Sequence, residues 1–350
     1  MLMNSRFIKA CYLTYTGVTP VWFMRQAGRY MPEYRAIREK VSMLDAIRTP
    51  DIACEITMQP INAFNLDAAI LFADILTPLI GMGIDLDFVK GEGPCINNPI
   101  RSVQDVEQLR TPPAGEAMPF AAEAVRKLVA DLTPRNIPLI GFAGAPFTMA
   151  SYAIEGGGSK NYERTKGLMW SDPLSWDQLM TKLVVVISDY LIEQTNAGAS
   201  ALQIFDSWAG ALGPRDYAKY VAPYTKQVIE NTQKSGVPVI YFSTGTIGIL
   251  DQVTALGSNV ISVDWRTPLD AAWNQIGTDR AIQGNLDPVL LLAPWDEIQV
   301  HVDEILKQAN GRPGHIFNLG HGILPETPMD IVRRLADYVH EKTTERLKQQ

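Results

Sequence analysis

The strongest constraint in this 350-residue chain is a rhythm. Eight short, nearly uninterrupted apolar runs recur along it, at residues 21–24, 68–73, 137–142, 201–205, 237–242, 260–263, 281–284 and 315–319. Each ends at a polar residue or a small-residue turn. Between most of them lie longer stretches with apolar residues at helical spacing. A strand that is apolar on both faces must be covered on both faces, which means a parallel sheet under helices. Helix openings agree. Pro32 and Glu33 start a helix towards Lys40, and Asp172-Pro173 starts a long one carrying Leu183, Val184, Val186 and Ile187. Pro214 starts one through Tyr217, Tyr220 and Val228, and Thr327-Pro328 starts the last, with Ile331, Leu335 and Val339 on one face. Eight such units predict an α/β fold of the closed (β/α)8 TIM-barrel type rather than an open doubly wound sheet.

Two intervals exceed the plain repeat. Residues 77–136 hold Asp85-Leu86-Asp87-Phe88-Val89 and the turn Gly91-Glu92-Gly93-Pro94, which predict a small β excursion at about residues 80–101. A helix from about Glu116 to Leu132 follows. Residues 155–160, EGGGSK, form a glycine-rich loop with the makings of a lid. No linker or sharp composition shift divides the chain, so one domain is expected over residues 1–350.

The charge balance narrows the partners. A net charge of −7 gives no overall field favouring nucleic acid or an anionic membrane. Salt confines charge effects to about 10 Å, so a local cationic site for a small anion remains open. No run approaches the ~18 apolar residues of a spanning helix. The N-terminus, MLMNSRFIKACYLTYTG, lacks an apolar stretch followed by a small-residue cleavage site, so the expected compartment is the cytoplasm. Three scattered cysteines, Cys11, Cys54 and Cys95, suit neither a disulfide scaffold nor a metal knuckle.

Barrels of this kind place their chemistry at the C-terminal ends of the strands. Just past the runs stand Arg25, Gln26 and Arg29; Asp74; the turn Ala143–Pro146 leading to Tyr152; Asp206 and Ser207; Ser243 and Thr244; Asp264; Asp287; and His321. Loops are polar in any case. That plain alternative covers Ser243, Thr244 and Asp287, which fits a helix cap before Pro288. Asp74 follows six apolar residues and needs a donor partner or a cationic ligand, unless it caps a helix. His321 lies between glycines, either as a site residue or as a turn histidine bonded to backbone. His301, His315 and His340 fall in helix or strand-start positions and read as structural. One site histidine without histidine or cysteine neighbours argues against zinc. No phosphate-binding or dinucleotide fingerprint is present, and Lys160 sits in the glycine-rich loop rather than at a strand end. Arginines suit carboxylates, through their fork of donors. From spacing alone, the rim suits a polyanionic organic acid with some cationic character, and the reaction stays unnamed.

Two stretches carry a resemblance. Residues 20–35 (PVWFMRQAGRYMPEYR) and 141–156 (GFAGAPFTMASYAIEG) are similar to the two signatures of the uroporphyrinogen decarboxylase family. Supporting pieces follow in the same order: LDAAILFADIL at 66–76, LQIFDSWAG at 202–210, IQGNLDP at 282–288 and HIFNLGHGI at 315–323. The resemblance implies a cofactor-free, homodimeric (β/α)8 enzyme. It would remove the four acetate carboxyls of uroporphyrinogen III to give coproporphyrinogen III and carbon dioxide. It further implies that Arg25 and Arg29, with the backbone of Gln26, Ala27 and Gly28, hold substrate carboxylates. Asp74 would face the pyrrole N–H groups and stabilise a ring cation, and Tyr152, Ser207 and His321 would contact substrate. The proton donor stays open among an arginine acting with the reacting acetate, Tyr152, His321 and a water. Two rivals are a corrinoid or methyl-thiol methyltransferase on a related barrel, which would need a zinc site, and a tetrapyrrole carrier without catalysis.

Overall fold

Seven of the eight apolar runs become parallel strands. The structure is a computed structural model that describes residues 2–89 and 93–347. The strands are β1 (Ala69–Ile70), the hairpin pair β2 (Leu86–Val89) and β3 (Gly93–Ile96), then β4 (Leu139–Gly144), β5 (Ala201–Asp206), β6 (Val239–Ser243), β7 (Val260–Ser262), β8 (Ala281–Leu286) and β9 (His315–Leu319). One sheet runs β1-β4-β5-β6-β7-β8-β9, every pair parallel.

The first run, residues 21–24, closes that sheet without being a regular strand. Val21 makes a single parallel bridge to Phe317 in β9. The Phe317 N–H donates to Pro20 O at 2.9 Å and the Trp22 N–H to Phe317 O at 3.4 Å. On the other side the Asp67 N–H donates to Val21 O at 2.8 Å, and the Val21 N–H returns a bond to Asp67 Oδ2, also at 2.8 Å. Pro20 supplies no donor, and Arg25 turns the chain at a φ of 60°, so only a short ladder fits between them. Asp67 is held in turn by His340 Nε2 at 2.7 Å, and His340 Nδ1 by Asn65 at 3.1 Å. A side-chain clip thus replaces part of the missing ladder, and His340 has the structural role expected of it.

Helices cover the outside. Pro32–Arg38, Pro173–Asn196 and Met329–Leu347 match the predicted openings, and Asp172 accepts the Ser175 N–H at 3.1 Å as a cap. Two expected helices are instead broken. The one opened by Pro214 runs Pro214–Tyr220 and restarts as Ala222–Gln233, because Pro223 lacks an N–H and its ring excludes a helical turn before it. Pro119 does the same between Ala114–Ala117 and Pro119–Leu132. The β excursion is also narrower than residues 80–101. Thr77-Pro78 opens a helix, Thr77–Met82, and only the antiparallel hairpin β2–β3 is strand. The expected turn at Gly91 and Glu92 lies outside the described residues. Gly156 ends the helix Pro146–Glu155 at a φ of 93° and accepts the Ile96 N–H at 2.9 Å, which ties the glycine-rich segment to the hairpin.

Inside the ring, Trp22, Met24, Ala68, Ile140, Ala201, Ile240, Phe242, Val260, Ala281 and Ile316 form one apolar cluster. A larger cluster fills the layer between sheet and helices. Among the described residues no helix is long and apolar enough to cross a membrane.

Candidate active site

The turn after the first run is built from its own side chains. Gln26 is buried; its Nε2 donates to Ala68 O at 3.2 Å, and its Oε1 accepts the Phe23 N–H at 3.2 Å. The Gln26 N–H is spent on Phe23 O at 3.0 Å and its carbonyl on the Tyr30 hydroxyl at 2.5 Å. Gln26 therefore locks the turn to β1 and has no free backbone donor. Among the described residues the N–H groups of Ala27, Gly28 and Arg29 have no protein acceptor. Successive free amides are the usual cradle for an anion. Arg25 and Arg29 are both exposed. Arg25 lies across Gly322, where a Cβ would come within 2.7 Å of Arg25 Cγ and 3.0 Å of its Nε.

Asp74 stands four residues past β1. Its Oδ1 accepts the Leu76 N–H at 2.9 Å, and its backbone pairs with Thr77, whose hydroxyl donates to Asp74 O at 2.8 Å. The helix-opening alternative is thus half true, because one oxygen caps the turn. Oδ2 has no protein donor among the described residues. Burial lifts this carboxyl to about 6, while the Leu76 amide and the Arg25 charge pull it down. It is therefore ionised at neutral pH, but at a cost that a cationic ligand would relieve.

Two more side chains feel Arg25. Tyr152, in the helix after β4, stacks on Trp208 with ring centroids 3.9 Å apart. Burial pushes its hydroxyl up to about 12, the Asp74 charge adds to this, and Arg25 opposes it. His321, past β9, accepts the Gly322 N–H on Nδ1 at 2.8 Å, which leaves Nε2 to carry the proton. Burial lowers its pKa to about 4, with Arg25 and Arg266 adding to the fall and Asp264 opposing it. His321 is thus a neutral hydrogen-bond donor at pH 7. Four of the expected residues, Arg25, Asp74, Tyr152 and His321, come from four separate strand ends into one electrostatic group.

Others do not join that group. Among the described residues the Arg29 guanidinium has no ion-pair or hydrogen-bond partner. Ser207 contributes its carbonyl, which accepts from Thr244 Oγ1 at 2.7 Å, and its hydroxyl has no protein partner among the described residues. Asp206 is fully buried and accepts the hydroxyls of Thr148 and Tyr241, both at 2.7 Å. Asp287 caps Val289 at 2.9 Å, as expected. His315 is buried, with Nε2 3.1 Å from Gly284 O. No group of three or more histidine, cysteine or acidic residues among those described is placed to hold a metal.

Three features escaped the sequence reading. Trp208 is the platform under Tyr152. Gly322 is small because Arg25 lies on it, and the Gly-His-Gly spacing was the available signal. Arg266, paired with Asp264 at 2.6 Å, gave no signal at all, because it looks like any loop arginine.

Comparison with known proteins is consistent along the whole length. A family model described as uroporphyrinogen decarboxylase (URO-D) matches residues 2–342. A uroporphyrinogen decarboxylase of Roseiflexus sp. (strain RS-1) is 54% identical over 98% of this chain and 100% of its own. One from Carboxydothermus hydrogenoformans is 52% identical over 97% of both. Among solved structures, a methyltransferase from Methanosarcina mazei aligns with a TM-score of 0.81 at 20% identity, covering 97% of this chain and 98% of that one. A B12-independent methionine synthase from Shewanella sp. W3-18-1 aligns at 0.57 and 10%, over 84% of this chain and 88% of that one. At those identities the two structures speak to the fold alone.

Proposed function

The chain belongs to the uroporphyrinogen decarboxylase family, the carboxy-lyases of tetrapyrrole biosynthesis, and from that premise we propose how its rim performs the reaction. The substrate in this reading is uroporphyrinogen III, whose four acetate side chains become methyl groups. Each step consumes one proton and releases one carbon dioxide. The pyrrole carbon next to the acetate-bearing carbon takes a proton, which makes the ring a cation. The bond to the carboxylate then breaks, and its electrons run into that cation to form an exocyclic methylene. A second proton completes the methyl, and loss of the first restores the pyrrole. The protonated ring is its own electron sink, so this chemistry calls for no cofactor.

The observation that carries the assignment of roles is the half-paired Asp74 beside Arg25. Its open oxygen is suited to accept pyrrole N–H groups, and its negative charge opposes the ring cation. Charge held in advance where charge develops is the largest common source of rate. Arg25 and Arg29, with the free amides of Ala27 and Gly28, hold acetate and propionate carboxylates; Gln26 supports them from behind. Tyr152, Ser207 and His321 line the site, His321 donating from Nε2. A neutral imidazole and a phenol near 12 are both poor acids at pH 7. The first proton is therefore assigned to Arg29 or Arg25 acting with the reacting acetate, or to water held there.

We further propose a homodimer in the cytoplasm, whose facing barrel mouths would shelter so large a substrate. Sedimentation at micromolar concentration tests the dimer. The decisive assay is anaerobic incubation with uroporphyrinogen, followed by oxidation and chromatography. A ladder from hepta- to tetracarboxylate is expected. Octacarboxylate that binds and stays unchanged would identify a carrier instead.

A further inference from the structure

The Gly320-His321-Gly322 tripeptide is sandwiched. On one side Gly322 seats the aliphatic stem of Arg25. On the other, Gly320 lies against the segment after β7: a Cβ there would fall 2.5 Å from Trp265 N, 2.9 Å from the Trp265 ring and 3.1 Å from Asp264 C. Arg266 extends from that segment with its guanidinium 4.2 Å from the Trp265 ring centroid. It is held by Asp264, which is 5% exposed and meets Arg266 Nη1 at 2.6 Å. Asp264 also accepts the N–H of Gly245 at 2.7 Å and that of Arg266 itself at 3.1 Å. The buried Asn285 clamps the same turn by donating to Asp264 O at 2.9 Å and to Thr267 O at 2.7 Å.

Arg266 is thus a fixed cation on the same rim as Arg25, across His321 from it. About half of its side chain stays open (53% exposed), and among the described residues its Nη2 and Nε have no protein acceptor. A guanidinium that is stacked, tethered at one nitrogen and open at the others is prepared for a carboxylate. Its partner Asp264 is one charge already spent on two amides and one arginine, so Arg266 retains donors for a ligand. Its charge, like that of Arg25, reaches His321, whereas of the two only Arg25 acts on Asp74.

We propose that Arg266 is a third carboxylate clamp for the tetrapyrrole, binding a side-chain carboxylate that the reaction does not remove. This rests on the substrate reading given above. Because the carboxylate persists, the clamp acts at every step. In Arg266→Gln, KM should rise at least tenfold both for the octacarboxylate and for the pentacarboxylate intermediate, with kcat within about twofold. Arg266→Lys should recover part of that loss, because charge returns without the fork. Arg334→Gln is the control: Arg334 stacks on Trp295 at 4.0 Å on the last helix, so it removes a similar stacked cation from elsewhere. It should leave KM unchanged. Unchanged KM in Arg266→Gln, a rise for the octacarboxylate alone, or an equal rise in Arg334→Gln would overturn the proposal. Wild-type protein that turns over neither substrate would overturn the function instead, which keeps the two failures apart.

Discussion

Asp74 and Asp206 make an instructive pair. Both are aspartates at strand ends, and burial lifts both carboxyls from 3.8 to about 6. Their partners differ. Asp206 is closed: Thr148 and Tyr241 each give it a hydroxyl at 2.7 Å, and Tyr241 meets the Tyr217 hydroxyl at 3.1 Å. Thr148 also takes the Trp208 N–H at 3.3 Å, so this network holds the segment that carries the Tyr152 platform. Asp74 has one backbone amide and one open oxygen. Asp206, with its acceptors filled, is architecture; in the mechanism proposed above, the acceptor that Asp74 leaves open is for a donor that arrives with substrate. A similar lift in pKa therefore supports two different uses, and the count of fixed donors separates them.

The widest separation should come from Asp74→Asn. Losing charge aimed at the ring cation should lower kcat about 10²–10³-fold, roughly 3–4 kcal/mol, in the chromatographic assay. The same change should stabilise the empty protein. A carboxyl lifted from 3.8 to about 6 is favoured folded when protonated. Its contribution to stability is thus full below 3.8 and is lost as pH rises through about 6. Asn escapes that loss, so urea melts should show it ahead of wild type by up to roughly 3 kcal/mol at pH 8, with the gap closing by pH 4. An Asp74→Asn protein that is inactive and also less stable at pH 8 would break the comparison.

Asp206→Ala should show the reverse. It strands two buried hydroxyls and should cost about 2–3 kcal/mol in urea melts at pH 4, where its own carboxyl is protonated in the fold and carries no ionisation cost. Its kcat per folded molecule should stay within about tenfold of wild type, ~1.4 kcal/mol. A loss as large as that of Asp74→Asn would put Asp206 in the chemistry. Next in size is Gly322→Ala. Its methyl would meet Arg25 Cγ at 2.7 Å and shift the guanidinium. KM for uroporphyrinogen should rise about tenfold, with stability little changed, because contacts of this strength are worth 1.5–3 kcal/mol. The smallest effect is expected from Trp208→Leu, which removes the stack under Tyr152. A loss of about 0.5–1.5 kcal/mol, two- to tenfold in kcat/KM, is the expectation. Larger losses would mean that the ring does more than carry Tyr152.

Much of this was legible in the residue order, for identifiable reasons. Strands buried on both faces have to be written as apolar runs, so β4 to β9 appear within two residues of where they form. Asp287 announced itself as a cap by standing before Pro288, and the structure has it so. The first run misled in detail. Apolarity says that residues 21–24 are buried, and they are, but burial does not say how many ladder bonds form. The breaks at Val221 and Met118 follow from Pro223 and Pro119, which apolar spacing overlooks. The site divided similarly. Strand-end position picked out Asp74, Tyr152 and His321, whereas Arg266 and Trp208 depend on neighbours from other strands.

What the chain alone determined is the alternation of runs and helices, and with it a barrel whose strand ends share one rim. Local apolarity and turn chemistry suffice for that, because each element is encoded by adjacent residues. The tertiary structure decided which polar groups are finished and which are left open. Asp67 clips the barrel with His340, Asp206 is closed by two hydroxyls, and Asp74 keeps one oxygen free beside Arg25. Those partners lie tens to hundreds of residues apart in sequence. Hydrogen bonding and burial across such distances are properties of the folded ring, and no local pattern records them.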